Sequence, residues 1–277
     1  MTDVDRTSSG KNPSELLFEE ILRTAGFPDF SYEPEIEGTS RRPDYAVTLG
    51  DQILFFEVKE FRATANDARL QGGCFDPYPP LREKINAAAR KFKETDGRCC
   101  NLVLFSSGKP LIFLDWEHIF GAMLGDVGFQ IPVSITGLAL PETSEVNRVF
   151  LAGGKMHHES DGRPVAPKNQ TISSIVGLEH LAVGQKRFAA HCRGVGMTKR
   201  RELTDDEFCA EFDAAAGTSC APSIRQLRVV VNENPYAYVP LPEEMFRGPW
   251  DERYGGRDGR IGRTYVGAEA AALEALG

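Results

Sequence analysis

The sequence predicts an α/β fold, and three patterns carry that expectation. An amphipathic helical segment ends at Gly26. Two apolar runs, Tyr45–Leu49 and Ile53–Val58, flank a Gly-Asp turn. A second amphipathic helix, Leu81–Glu94, leads into the apolar run Asn101–Ser106. Helical and strand periods that alternate along a chain build layered α/β domains.

The chain has 277 residues, enough for one large domain or two modest ones. Its 41% hydrophobic and 26% charged residues are ordinary for a globular protein. No apolar run approaches the ~18 to 20 residues of a membrane helix, and Met1–Asn12 is polar, without a signal-peptide core. Six cysteines without a Cys-x-x-Cys pairing read as reduced thiols in a cytoplasmic protein, with zinc disfavoured. A net charge of -8 argues against a general nucleic-acid coat protein. It leaves room for an enzyme with locally clustered basic residues.

Residues 1–12 are expected to be flexible. The first helix starts at Pro13 and Ser14, with Ser14 as N-cap, and stops at Gly26. Phe30–Glu37 is a weaker strand, placed at an edge by Pro34. The hairpin follows, its turn made by Gly50 and Asp51. Leu54, Phe56 and Val58 face one side and Ile53 and Phe55 the other, the pattern of a strand covered on both faces. Yet Glu57 and Lys59 share the face of Phe55.

Charge at a covered position persists when it is paired or bound to a metal. A hairpin closed at Gly50-Asp51 brings Asp44 to the same end as Glu57, so two carboxylates and a lysine converge. Paired carboxylates suit a hard divalent cation such as Mg²⁺. A lysine beside them can steady developing phosphoryl charge. The competing reading is a surface hairpin with a solvated Glu57–Lys59 pair.

Pro43-Asp44 followed, after twelve intervening residues, by Glu57-Val58-Lys59 resembles the PD-(D/E)xK nuclease superfamily. The spacing is similar to that of archaeal Holliday-junction resolvases, and the layout to that of Mrr-type restriction nucleases. The resemblance covers about residues 12 to 107. It implies a restriction-endonuclease-like αβββαβ core with a mixed central sheet over residues 13–125. Residues 126–277 would form an additional α+β C-terminal region or second subdomain. It implies a metal-dependent endonuclease hydrolysing phosphodiester bonds, most readily in DNA, in defence or repair. Mg²⁺, with Mn²⁺ as substitute, would be held by Asp44, Glu57 and the backbone carbonyl of Val58, with Lys59 orienting water or stabilising charge. The family also places a glutamate on the preceding helix, which maps to Glu15, with Glu19 as second choice. Glu15 shares a helix stripe with Phe18, Leu22 and Ala25. Homodimers are common in such enzymes. The alternative from another class is a catalytically silent nuclease fold that binds nucleic acid or regulates.

Substrate contacts are assigned to Arg42, beside Arg41 just before Asp44, and to Arg82 and Lys84 near the start of the second helix. Each reads equally as solvated surface charge. Arg62–Pro80 is a long irregular stretch, either a flap over the site or a simple insertion. Beyond it, Trp116–Leu124 reads as a helix, Ile131–Leu140 as a strand and Ile172–Phe188 as helical. His157 and His158 are adjacent and make a poor metal site. Lys199–Arg201 is a basic run, Gln226–Val231 a strand, and Ala268–Leu276 a short helix. Arg247–Arg263, with five arginines against three acids, is a flexible phosphate-binding arm or a solvated tail.

Overall fold

The computed structural model describes residues 10–62, 78–95, 97–107, 114–130, 147–160, 163–182, 225–256 and 261–274. The first six elements are helix α1 (Pro13–Thr24), strands β1 (Phe30–Tyr32), β2 (Tyr45–Leu49) and β3 (Gln52–Arg62), helix α2 (Tyr78–Phe92) and strand β4 (Cys99–Ser107). There follow helix α3 (Trp116–Leu124), strands β5 (Gly125–Gln130), β6 (Asn147–Gly153), β7 (His157–Ser160), β8 (Arg163–Pro167), β9 (Ile172–Ala182), β10 (Arg225–Glu233), β11 (Glu252–Gly255) and β12 (Gly262–Val266), and helix α4 (Ala268–Glu274). The fold is α/β. One sheet of eight strands runs β1-β2-β3-β4-β9-β10-β11-β12, and β5-β6 and β7-β8 form small antiparallel pairs. The large sheet is mixed, parallel at β3-β4, β4-β9 and β10-β11 and antiparallel elsewhere. Strands from either side of residue 125 therefore share one sheet.

Helix α1 begins at Pro13, as its sequence suggests, but its N-cap lies two residues before the expected one. Asn12, not Ser14, is the N-cap: it is extended, its side chain accepts from the Glu15 N–H at 3.0 Å, and the Asn12 N–H donates to Glu15 Oε2 at 2.7 Å. This reciprocal capping box is favoured by Pro13 in the first turn. Asn12→Ala is expected to cost about 1 kcal/mol in urea unfolding; an unchanged midpoint would show that the box is not stabilising. Lys11 and Asn12 belong to the stretch expected to be flexible but are held, Lys11 by Glu19 and Asn12 by the helix cap.

The sheet is covered on both faces. On one, Phe18 and Leu22 of α1 pack with Tyr45, Val47, Leu54, Phe56, Val58, Leu241, Met245 and Phe246. On the other, Leu81, Ile85, Ala88 and Phe92 of α2 and Ile119 and Phe120 of α3 pack with Phe55, Cys100, Leu102 and Leu104. Ile53 is the exception to its expected cover, 53% exposed at the tip of the hairpin one residue from the turn. Gly50 holds the first turn position with φ +56°, as a two-residue hairpin requires.

The stretch read as helical from Ile172 is a strand, β9, hydrogen-bonded between β4 and β10. A strand covered on both faces loses strict alternation, and Ile172, Ile175, Val176 and Leu178 imitate helical spacing. Gly177 is needed there: a Cβ would lie 2.7 Å from the Leu114 carbonyl oxygen. Expected strand Phe30–Glu37 shortens to Phe30–Tyr32, and α2 begins at Tyr78 rather than Leu81. Arg247–Arg263 is not a detached arm: Glu252–Gly255 pairs with β10 and Gly262–Val266 with β11. Of the candidate flap Arg62–Pro80, Arg62 ends β3 and Tyr78–Pro80 open α2, while residues 63–77, like the segments 131–140 and 199–201, lie outside the described residues. Among the described residues, no helix is long and apolar enough to cross a membrane.

Candidate active site

The hairpin register places the site. The last Cα pair of β2 and β3 is Tyr45 with Phe56, so the next step sets Asp44 opposite Glu57. Ladder bonds recur at every second pair, and the next one would join Val58 to residue 43. That residue is Pro43, which has no N–H to donate. Asp44 fills half of the missing rung: its Oδ2 accepts from the Val58 N–H at 2.7 Å. Because the N–H and C=O of a strand residue face the same edge, the Val58 carbonyl faces the Asp44 side and receives no N–H from Pro43.

Alternation puts Glu57 and Lys59 on the α2 face with Phe55, where α2 supplies a further residue. Lys91 Nζ donates to Asp44 Oδ1 at 3.0 Å and also pairs with Glu57 Oε2. Lys59 Nζ lies 2.5 Å from Glu57 Oε1. The side chain of Glu57 is 2% exposed, that of Asp44 15%, of Lys91 24% and of Lys59 30%. The cluster is thus closed at Glu57 and open to solvent at its lysines, which excludes the solvated surface pair.

Electrostatics agree with this layout. Burial pushes the Glu57 carboxyl up, Asp44 adds to the rise, and Lys59 and Lys91 oppose it. Burial works against the charge on Lys91, but Glu57 and Asp44 outweigh it and raise its pKa.

The two helix acids separate. Glu15 is buried and its carboxyl is raised, by burial first; its bond from Asn12 opposes this, while Asp44 and Glu33 add to the rise and Lys59 again lowers it. Glu15 therefore feels the cluster, although its carboxylate is engaged in the helix cap. Glu19 belongs to another network with Lys11, Arg23 at 2.9 Å and the Tyr45 hydroxyl at 3.1 Å. Burial would raise Glu19, but these three donors hold it below its ordinary value of 4.5. A carboxylate depressed on folding stabilises above its unfolded value, and that contribution disappears as pH falls through the folded one. Glu19→Gln should accordingly flatten the acid side of the stability–pH curve below about pH 5. Parallel acid limbs for variant and parent would contradict this.

The assigned substrate residues do not join the cluster. Arg42 is an exposed partner of Glu35 at 2.6 Å. Arg82 lies over the Tyr78 ring and reaches the Gly121 carbonyl at 3.4 Å, and Lys84 lies over Phe61, 5.7 Å from its centroid. The reason is the direction of α2. A helix joining two parallel strands runs back along the first, so its N-terminal turn lies at the far end of β3 and its last turn returns toward Glu57. The same reasoning points to Lys91. The loop before Asp44 fastens this end of α2: Arg41 donates to the Arg90 carbonyl at 2.8 Å and the Ser40 N–H to Glu94 at 2.8 Å. His157 is buried in β7 and His158 exposed.

Among the described residues, no three His, Cys, Asp or Glu side chains converge as a metal cluster. The oxygen set here is smaller: Asp44, Glu57 and the Val58 carbonyl. It fits Mg²⁺, which takes a few protein oxygens and keeps several waters. No known protein family, curated protein or solved structure matches the chain.

Proposed function

We propose that the chain is a metal-dependent nuclease of the PD-(D/E)xK kind that hydrolyses phosphodiester bonds in DNA. The observation that carries this reading is the meeting of Asp44, Glu57, Lys59 and Lys91 at the open end of the β2–β3 hairpin, with the Glu57 side chain only 2% exposed. The helix–three strands–helix–strand order of α1 to β4 supports it, because that is the core such nucleases share with the motif at this place.

Asp44, Glu57 and the Val58 carbonyl would hold Mg²⁺, which when bound supplies Lewis acidity and charge for attack on a phosphodiester. The Val58 N–H fixes the Asp44 carboxylate in the rung that Pro43 leaves open. Glu57 holds Lys59 by its ammonium group, and Lys59, the most exposed of the four, meets the substrate phosphate and stabilises negative charge as it develops. Glu15 contributes its field from beside the cluster.

Lys91 favours a second reading. Together with Lys59 it already balances the charge of the two carboxylates, as in a nuclease fold retained only for binding or regulation. Incubating the chain with plasmid DNA, linear single-stranded DNA and RNA, with Mg²⁺ or Mn²⁺ and with a chelator, separates the two. Cleavage that the chelator abolishes supports the nuclease; a folded protein that cuts none of these substrates supports the binding module.

A further inference from the structure

All four carboxylate oxygens of the site are committed. Asp44 Oδ2 accepts from Val58, Glu57 Oε1 faces Lys59, and the two remaining oxygens, Asp44 Oδ1 and Glu57 Oε2, both go to Lys91 Nζ. Those two oxygens thus face one and the same cationic nitrogen. Mg²⁺ needs oxygens at ~2.0 to 2.1 Å and holds them rigidly. It cannot share this pair with an ammonium already set between them.

We propose that Lys91 is a built-in cation that occupies the bridging position between Asp44 and Glu57, so that a divalent metal binds only by exchange with its ammonium group. This rests on the nuclease reading and adds a regulatory step to it: metal loading is a competition inside the protein. The lysine is built to yield. It stands in the last turn of α2, its side chain is 24% exposed, and its flexible four-carbon stem can carry the ammonium outward without moving the helix. The remaining contacts keep the carboxylates in place when it leaves: the Val58 N–H holds Asp44, and Lys59 holds Glu57. A lysine that merely neutralised the core would be expected among closed partners. Lys91 instead lies at the solvent side of a cluster whose innermost member is Glu57.

The test is Mn²⁺ titration calorimetry on the full chain, with the parent, Lys91→Met, and Lys91→Met combined with Asp44→Asn. Removing the competitor should tighten Mn²⁺ binding about tenfold or more, equivalent to roughly 1.4 kcal/mol, and the added Asp44→Asn should abolish the gain. Binding by the parent that is unchanged or weaker in Lys91→Met would overturn the exchange while leaving the metal site standing. No Mn²⁺ uptake by any folded variant would overturn the metal site and the exchange together. A second measurement needs no variant. Reductive methylation of the parent, read by peptide mass spectrometry, should label Lys91 several-fold faster with saturating Mn²⁺ than without it. Equal labelling would reject the displacement even if Lys91→Met fails to fold.

Discussion

Asp44→Asn should lower metal-dependent DNA cleavage by on the order of 10³-fold, and Lys59→Ala by about 10² to 10³, the range found when a preorganised charge-stabilising group is removed. The first substitution is chosen for its small structural footprint. Asparagine keeps an oxygen able to accept the Val58 N–H, so the missing rung beside Pro43 stays filled, yet the negative charge that faces Lys91 is gone. Lys59→Ala removes the most exposed cation but leaves Glu57 paired with Lys91. Plasmid nicking and single-strand cleavage rates, with circular dichroism to confirm folding, measure both. A parent that cuts while Asp44→Asn cuts at the same rate would place the chemistry elsewhere in the chain. Loss in Asp44→Asn with full activity in Lys59→Ala would transfer the phosphate-facing role to Lys91, the other lysine of the cluster.

The elements nearest this site were the most legible in the sequence, and for a physical reason. Gly50-Asp51 fixes a two-residue turn, the turn fixes the register, and the register alone sets Asp44 opposite Glu57. Local chemistry was enough. The place of Lys91 depends on the return path of α2 over β3, a tertiary relation in which sequence distance from Lys59 misleads. Arg82 and Lys84 were nearer in sequence and lie at the wrong end. The same limit explains β9. Its identity as a strand comes from insertion between β4 and β10, two partners far away in the chain, whereas its apolar spacing is compatible with a helix. The N-cap is displaced by a smaller margin, since Asn12 and Ser14 both carry capping chemistry and Pro13 between them decides the start.

Arg253→Met should destabilise the protein by about 2 to 4 kcal/mol, the cost of stripping a buried donor from the acceptors around it. This arginine belongs to a glycine- and arginine-rich stretch whose composition suggests a solvated tail, but its side chain is only 2% exposed. Its guanidinium donates to Glu233 Oε1 at 2.6 Å, to the Leu241 carbonyl at 2.5 Å and to the Pro242 carbonyl at 2.9 Å. It thereby ties β11 to β10 and to the loop that carries Leu241, Met245 and Phe246 into the α1-side core. Methionine can fill much of the volume, but it leaves those carbonyls and Glu233 without their donor, and buried acceptors stripped of a partner carry their full desolvation cost. Arg247 supplies the contrast within the same stretch. It is 47% exposed and paired with the exposed Glu243, so Arg247→Met should shift stability by less than about 1 kcal/mol. Urea unfolding of both variants against the parent measures the difference directly. If Arg253→Met unfolds within about 1 kcal/mol of the parent, the loop is held by its apolar side chains alone and the buried fork is not what anchors it. If the large loss is found with the small one, burial has turned one arginine of a basic run into a structural tie while leaving its neighbour on the surface.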